Sequence, residues 1–131
     1  MFRDMGYRDD RALELMAEKF RPWVEAKMRA DEYLTWFAVA EDGAIAAGAG
    51  LWLMDWPPHM LGSGARRGNI LNVYTETKFR RQGLARKLTL AAIEWCKKNR
   101  IDYVILHASE EGRPLYESLG FVGTNEMRMK L

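Results

Sequence analysis

Cysteine and histidine are nearly absent from this chain. A single Cys96 in 131 residues cannot close an intrachain disulfide, and with only His59 and His107 beside it the sequence argues against a zinc site. The simpler redox reading is a reducing compartment, and so a cytoplasmic protein. No apolar run reaches about 18 residues and no charged-then-apolar leader opens the chain, so neither a membrane span nor export is expected. Charge of one sign is lacking too. Twenty basic residues against eighteen acidic give a net charge of +2, the balance of an ordinary solvated surface. The pairs Arg66-Arg67 and Arg80-Arg81 have no interleaved aromatics and belong to no recognised reading module, so nucleic acid is not an expected partner. Several nucleotide and nucleophile signatures fail as well. Gly62 to Gly68 has one residue too many for a dinucleotide fingerprint and runs into a strand rather than a helix. No Gly-x4-Gly-Lys-Ser/Thr and no Gly-x-Ser-x-Gly is present.

What remains, 48% apolar and 29% charged residues without internal repeats or low-complexity tracts, is enough for one small domain spanning 1–131. Its organising stretch is Val73 to Lys87. Ile70-Leu71-Asn72-Val73-Tyr74 alternates and carries β-branched and aromatic residues, as a strand does. Leu84, Leu88, Ala91, Ala92 and Trp95 recur at spacings of three and four, which gives a helix one apolar face. The join between them holds Arg80-x-x-Gly83-x-Ala85. Small residues there let a ligand approach the backbone, while the free N–H groups of the first helical turn point outward from the positive end of the helix dipole. Strand, small-residue turn and helix N-terminus together make an anion cradle, most naturally for phosphate.

The Arg-x-x-Gly-x-Ala pattern resembles the coenzyme A pyrophosphate loop of the GNAT superfamily of N-acetyltransferases. A second block, Arg113-Pro114-Leu115-Tyr116-Glu117-Ser118-Leu119-Gly120-Phe121, is similar to that superfamily's Leu-Tyr-Glu-Lys-Leu-Gly-Phe segment, so the likeness extends from Ile70 to Phe121. It implies a mixed α/β (α+β) fold: a mostly antiparallel sheet with a central parallel strand pair that splays apart, and flanking helices. It also implies acetyl-coenzyme A as co-substrate, an amine of a small molecule or peptide as acceptor, and no metal. By position, Arg80, Arg81, Gln82, Gly83, Leu84, Ala85 and Arg86 would hold the pyrophosphate. Backbone groups of Val73 and Thr75 would meet the pantetheine arm, and Ser109 stands where many members have a coenzyme-binding Asn. Tyr116 stands where the family commonly places the tyrosine that protonates the departing thiolate.

In chain order, Asp9 or Asp10 can cap a helix with Leu13, Met16, Ala17 and Phe20 on one face, and Pro22 restarts or kinks it into a second segment. Relatives open with a strand and a complete helix. This sequence reads as lacking that strand and most of that helix, which leaves Leu34 to Ala40 as an edge strand with unpaired backbone, an invitation to homodimerise. Glu41-Asp42-Gly43 is a hairpin turn and Ala44 to Trp56 the returning strand. Asp55 to Gly68 is then a Pro- and Gly-rich loop, which in the superfamily borders the acceptor pocket, with Arg66-Arg67 as its solvated flank. The central helix ends at Asn99, a residue that tolerates a left-handed cap. The apolar run Tyr103 to Leu106 suits a buried strand parallel to the Ile70 strand. Phe121 to Leu131 reads as a last strand.

Acyl transfer from a thioester to an amine needs a neutral amine, a stabilised oxyanion and a proton for the leaving thiolate. For an acceptor with a pKa of about 10.4, deprotonation at pH 7 costs roughly 4–5 kcal/mol unless a base or ordered water relieves it. The candidates are Glu76, Asp55 and His59, with Asn72 and Tyr74 at the inward strand positions and His107 read as structural. The absence of an obvious base keeps a second reading open, a non-catalytic acyl-coenzyme A binding or regulatory module of the same fold.

Overall fold

A computed structural model describes residues 1–131. A 20-residue helix, α1 (Asp10–Arg29), precedes three strands, β1 (Tyr33–Val39), β2 (Ile45–Asp55) and β3 (Arg66–Thr75). They are followed by α2 (Leu84–Lys98), β4 (Val104–Leu106) and α3 (Arg113–Ser118). The strands form one sheet in the order β1-β2-β3-β4, antiparallel except for the parallel β3–β4 pair. No strand precedes α1, and β1 and β4 are the two edges of the sheet. No helix is long and apolar enough to cross a membrane.

The register assigns each strand residue to a face. Trp36↔Ala49, Leu34↔Leu51 and Leu51↔Ile70 lie toward α2, where Leu51, Leu53, Ile70, Ala92, Cys96 and Ile101 form the main core. Tyr33↔Trp52 and Trp52↔Asn69 lie toward α1, where Trp23 meets the Tyr33 and Trp52 rings edge-on. α2 packs tightly because Leu88, Ala92 and Cys96 present a flat stripe at the required spacing, and Ala47 and Ala49 of β2 let it come close. The β1–β2 turn is held by Asp42, whose carboxylate accepts from the Ala44 N–H at 3.0 Å, and by Gly43 at φ 86°.

Four local expectations are corrected. α1 runs unbroken through Pro22, capped by the Asp9 carboxylate on the Ala12 N–H at 3.0 Å. Loss of one N–H in a 20-residue amphipathic helix does not end it here. β3 begins at Arg66, not Ile70: Arg66 pairs with Asp55 and Arg67 with Met54, so these arginines are strand residues, and the Arg67 guanidinium lies 3.3 Å over the Trp56 ring. At the end of α2 the left-handed residue is Arg100 (φ 60°), while Asn99 at φ −102° closes the helix with its amide on the Trp95 carbonyl at 2.8 Å. Residues 121–131 form no strand. Met127 and Met129 do alternate with Arg128 and Lys130, but alternation makes a strand only where an edge supplies backbone partners, and both methionines stay exposed.

Candidate active site

At the end of β3 the chain takes a one-turn 3₁₀ helix (Thr77–Phe79) and then two left-handed residues, Arg81 at φ 62° and Gly83 at φ 74°, before α2 begins at Leu84. Lys87 N–H, bonded to the Gly83 carbonyl at 3.0 Å, is the first amide of α2 with an intrahelical acceptor, and no side chain caps the helix. The N–H groups of Leu84, Ala85 and Arg86 are therefore open at the positive end of a 15-residue helix. A Cβ built on Gly83 would meet nothing within 4 Å, so the space over the loop is empty. Arg81 and Gln82 flank it, exposed. The donors suit a phosphate group.

Arg80 plays a different part from its neighbours. Its Nε donates to the Thr75 carbonyl at 3.0 Å and its Nη2 pairs with Asp4 at 2.9 Å, while the Tyr74 hydroxyl donates to the same carboxylate at 2.6 Å. The Tyr74 bond, with help from Arg80, holds the Asp4 carboxyl below the usual range; the same bond, first among its causes, pushes the Tyr74 phenol up. The guanidinium thus braces the strand end. Nothing in the sequence pairs Asp4 with residues more than seventy positions away.

The parallel pairing of β3 with β4 runs only from Gly68↔Val104 to Ile70↔Leu106, although β3 continues to Thr75. The last five residues of β3 have no β4 neighbour, which is the opening expected of a splayed pair. Glu76 N–H bonds the Ala46 carbonyl at 2.8 Å, so alternation turns the Thr75 backbone groups away from β2, toward that opening. Opposite Ala49 the ladder bulges, with Asn72 at φ 53° and its amide on the Tyr33 hydroxyl at 3.2 Å. The bulge sends the Val73 side chain into the α2 core and leaves Asn72, Tyr74 and Glu76 on the α1 side.

Tyr116 and Ser109 meet across Gly112. A Cβ on that glycine would come within 3.1 Å of the tyrosine ring and 3.2 Å of the serine hydroxyl, so an alanine there would press on both. Ser109 Oγ accepts from the Gly112 N–H at 3.1 Å, which leaves its proton free to donate. The Tyr116 ring packs edge-on against Phe121, 6.1 Å between centroids, and borders a cavity of about 700 Å³ between β4 and residues 121–128. Burial raises its phenol pKa, so the proton that a phenol already keeps at neutral pH is held more firmly. Arg86 Nη1 donates to Ser118 Oγ at 2.9 Å, tying the first turn of α2 to the helix that carries Tyr116.

The three candidate bases are separated. Glu76 stands beside Asn72 and Tyr74, at the cradle end of the sheet. Asp55 pairs with Arg66 at the opposite end of β3, nine residues and roughly 30 Å of strand from Thr75. His59 lies exposed in the loop beyond, its Nδ1 accepting from the Leu61 N–H at 3.3 Å. That loop closes on Asp102, which accepts from the Ser63 N–H at 2.9 Å; the antiparallel register carries it there. His107 is exposed, 3.5 Å from the Glu126 carboxylate. No group of three or more His, Cys, Asp or Glu side chains is placed to hold a metal ion.

Similarity to known proteins agrees with this geometry. No curated protein matches the chain. Among solved structures, a GCN5-related N-acetyltransferase from Ralstonia eutropha JMP134 is 36% identical, with a TM-score of 0.91 over 100% of this chain and 85% of its own. A predicted acetyltransferase from Clostridium acetobutylicum, solved with acetyl-CoA, is 28% identical with a TM-score of 0.82, covering 88% of this chain and 75% of its own. A glucosamine-6-phosphate N-acetyltransferase from Arabidopsis thaliana shares the fold at 24% identity and a TM-score of 0.71, over 85% and 74% of the two chains. The sequence profile of the Acetyltransferase (GNAT) family matches residues 4–121, and with the relative from Ralstonia similar over the whole chain, this protein belongs to that family.

Proposed function

We propose that the protein is an acetyl-coenzyme A-dependent N-acetyltransferase acting on the amine of a small molecule or peptide. The observation that carries this reading is the run of open amides at Leu84, Ala85 and Arg86, joined by a single turn segment to the unpaired end of β3. The first suits a pyrophosphate and the second an extended pantetheine arm, meeting the backbone of Val73 and Thr75 as an added strand would. Arg81 and Gln82 flank the phosphates, Arg80 holds the loop's shape, and the free Ser109 proton offers one further donor. The coenzyme supplies an activated acetyl thioester.

In the transfer one carbon–nitrogen bond forms and one carbon–sulfur bond breaks. The amine loses a proton and the thiolate gains one. Tyr116, a phenol that is protonated at neutral pH, is the donor we assign to the thiolate, whose pKa should resemble the value of about 8.5 of a cysteine thiol. Glu76 is the carboxylate at the cradle end of the sheet and accepts the amine proton directly or through water. Asp55 and His59 have no part in this scheme.

The test is release of free coenzyme A thiol with acetyl-coenzyme A and a panel of primary amines. Wild type should turn over at least one amine, and Tyr116→Phe should lower kcat by about 10²–10⁴ while coenzyme affinity stays the same. Coenzyme binding without turnover of any amine would favour the non-catalytic module instead. Full activity in the Phe variant would move the acid role to water or another side chain.

A further inference from the structure

Between α1 and the sheet lies a second cavity, of about 440 Å³, within the size range of small-molecule sites. Phe2, Met16, Ala17, Phe20, Phe37 and Ile45 are among the apolar residues of its wall. The polar side chains on it, Asn72, Tyr74 and Glu76, all come from the end of β3. Two of the three are already engaged: the Asn72 amide on the Tyr33 hydroxyl and the Tyr74 hydroxyl on Asp4. The Glu76 carboxylate forms no ion pair or side-chain hydrogen bond, so a single free, exposed negative charge borders an open apolar groove in which Phe37 and Ile45 are each 55% exposed. No lysine, arginine or histidine lines it.

That distribution selects among acceptors. A sugar phosphate or a carboxylate would find no Lys, Arg or His side chain, only the α-amino group of Met1, and would stand beside Glu76, which repels it. A polyamine would satisfy Glu76 with one ammonium and bury the next among methionine and phenylalanine, at the cost of an unpaired charge. A molecule with one amine on a hydrocarbon body meets both halves of the wall. The polar end is also the right end, because Glu76 follows Thr75, where β3 stands open for the acetyl-bearing arm.

We propose that this cavity is the acceptor site and that its ligand is a primary amine on an apolar aliphatic or aromatic body, with the ammonium at Glu76 and the body against Met16, Phe20 and Phe37. The inference rests on the acetyltransferase reading, and it adds the acceptor's chemical class. Each methylene buried should raise binding about fourfold until the chamber is full.

The probes are n-hexylamine and 2-phenylethylamine, set against ethylamine, spermidine and glucosamine 6-phosphate. With acetyl-coenzyme A, kcat/KM for n-hexylamine should exceed that for ethylamine by about 200-fold, following the four added methylenes. Ala17→Trp, at an exposed helix position that lines the cavity, should fill the chamber and raise KM for n-hexylamine tenfold or more without changing coenzyme affinity. Glu76→Gln should raise the same KM about tenfold and flatten the preference for a cation. Calorimetry of n-hexylamine with the chain alone gives a readout free of turnover: binding is expected in wild type and lost in Ala17→Trp, with circular dichroism confirming that the variant is folded. Equal n-hexylamine binding in both proteins, or polar amines turned over as well as apolar ones, overturns the inference and leaves the acetyltransferase reading intact. Failure of wild type to bind coenzyme A overturns that reading instead, and the amine calorimetry still decides the cavity.

Discussion

On one face of the sheet Leu51, Leu53 and Ile70 meet Ala92 and Cys96 of α2, and five residues of this layer are 3% exposed or less. On the other, α1 has no buried residue and leaves room for a cavity, and its contact with the sheet is made by Trp23 on Tyr33 and Trp52. Buried polar atoms without a partner divide the same way: Trp52 Nε1, Arg67 Nε and Asn69 Oδ1 belong to the α1 side, Thr89 Oγ1 to α2. Such atoms are places for ordered water. The α2 face therefore carries stability through dry packing and fixes the helix whose N-terminus we propose to face the coenzyme. The α1 face trades packing for space, as a surface that must admit a substrate does.

The comparison is sharpened by single changes on each face. Leu51→Ala on the α2 side removes a fully buried side chain and should cost about 2–5 kcal/mol, read by chemical denaturation. On the α1 side the sensitive point is Gly50, where an added Cβ would stand 2.1 Å from the Tyr33 hydroxyl and 2.7 Å from its ring carbon. Gly50→Ala should displace Tyr33 from Asn72 and cost about 1–3 kcal/mol. A cost for Gly50→Ala as large as that for Leu51→Ala would break the contrast, since the α1 face would then be packed as tightly.

The smallest effect appears only in alkali. Burial pushes the Cys96 thiol from its ordinary 9.0 up to about 11. Above pH about 9 the unfolded chain loses a proton that the folded chain keeps, so this contribution is whole below pH 9 and falls as pH rises toward 11. The slope should approach 1.4 kcal/mol per pH unit at most, about one proton's worth. Cys96→Ala should flatten that part of the stability profile, whatever its cost at neutral pH. An unchanged slope would mean that the α2 face is wetter than its packing implies.

How much of this could be read in advance depended on how local the determinants were. The cradle was legible because a glycine, a small residue and a helix start lie within six positions, and the parallel β4 because an apolar run follows the α2 crossover, although its three strand residues are half-buried at a sheet edge rather than covered on both faces. Arg66 and Arg67 hid the start of β3, since charged residues in a strand declare themselves only through a neighbour such as Trp56. The run Phe121 to Leu131, read as a last strand, pairs with no sheet edge. Asp4 on Arg80 and Tyr74, and Arg86 on Ser118, are contacts between distant parts of the chain with no local signature. The separation of Glu76 from Asp55 and His59 likewise followed only from the register.

The central claim is that the β3–α2 junction holds coenzyme A through open backbone amides. Gly83 at φ 74° is the residue on which that backbone shape turns, and a β-branched side chain resists such an angle. Titration of coenzyme A by calorimetry into wild type and Gly83→Val, with both shown to be folded, is the most direct test. The account predicts binding to wild type that is weakened tenfold or more in the variant; equal affinity in the two proteins would contradict it.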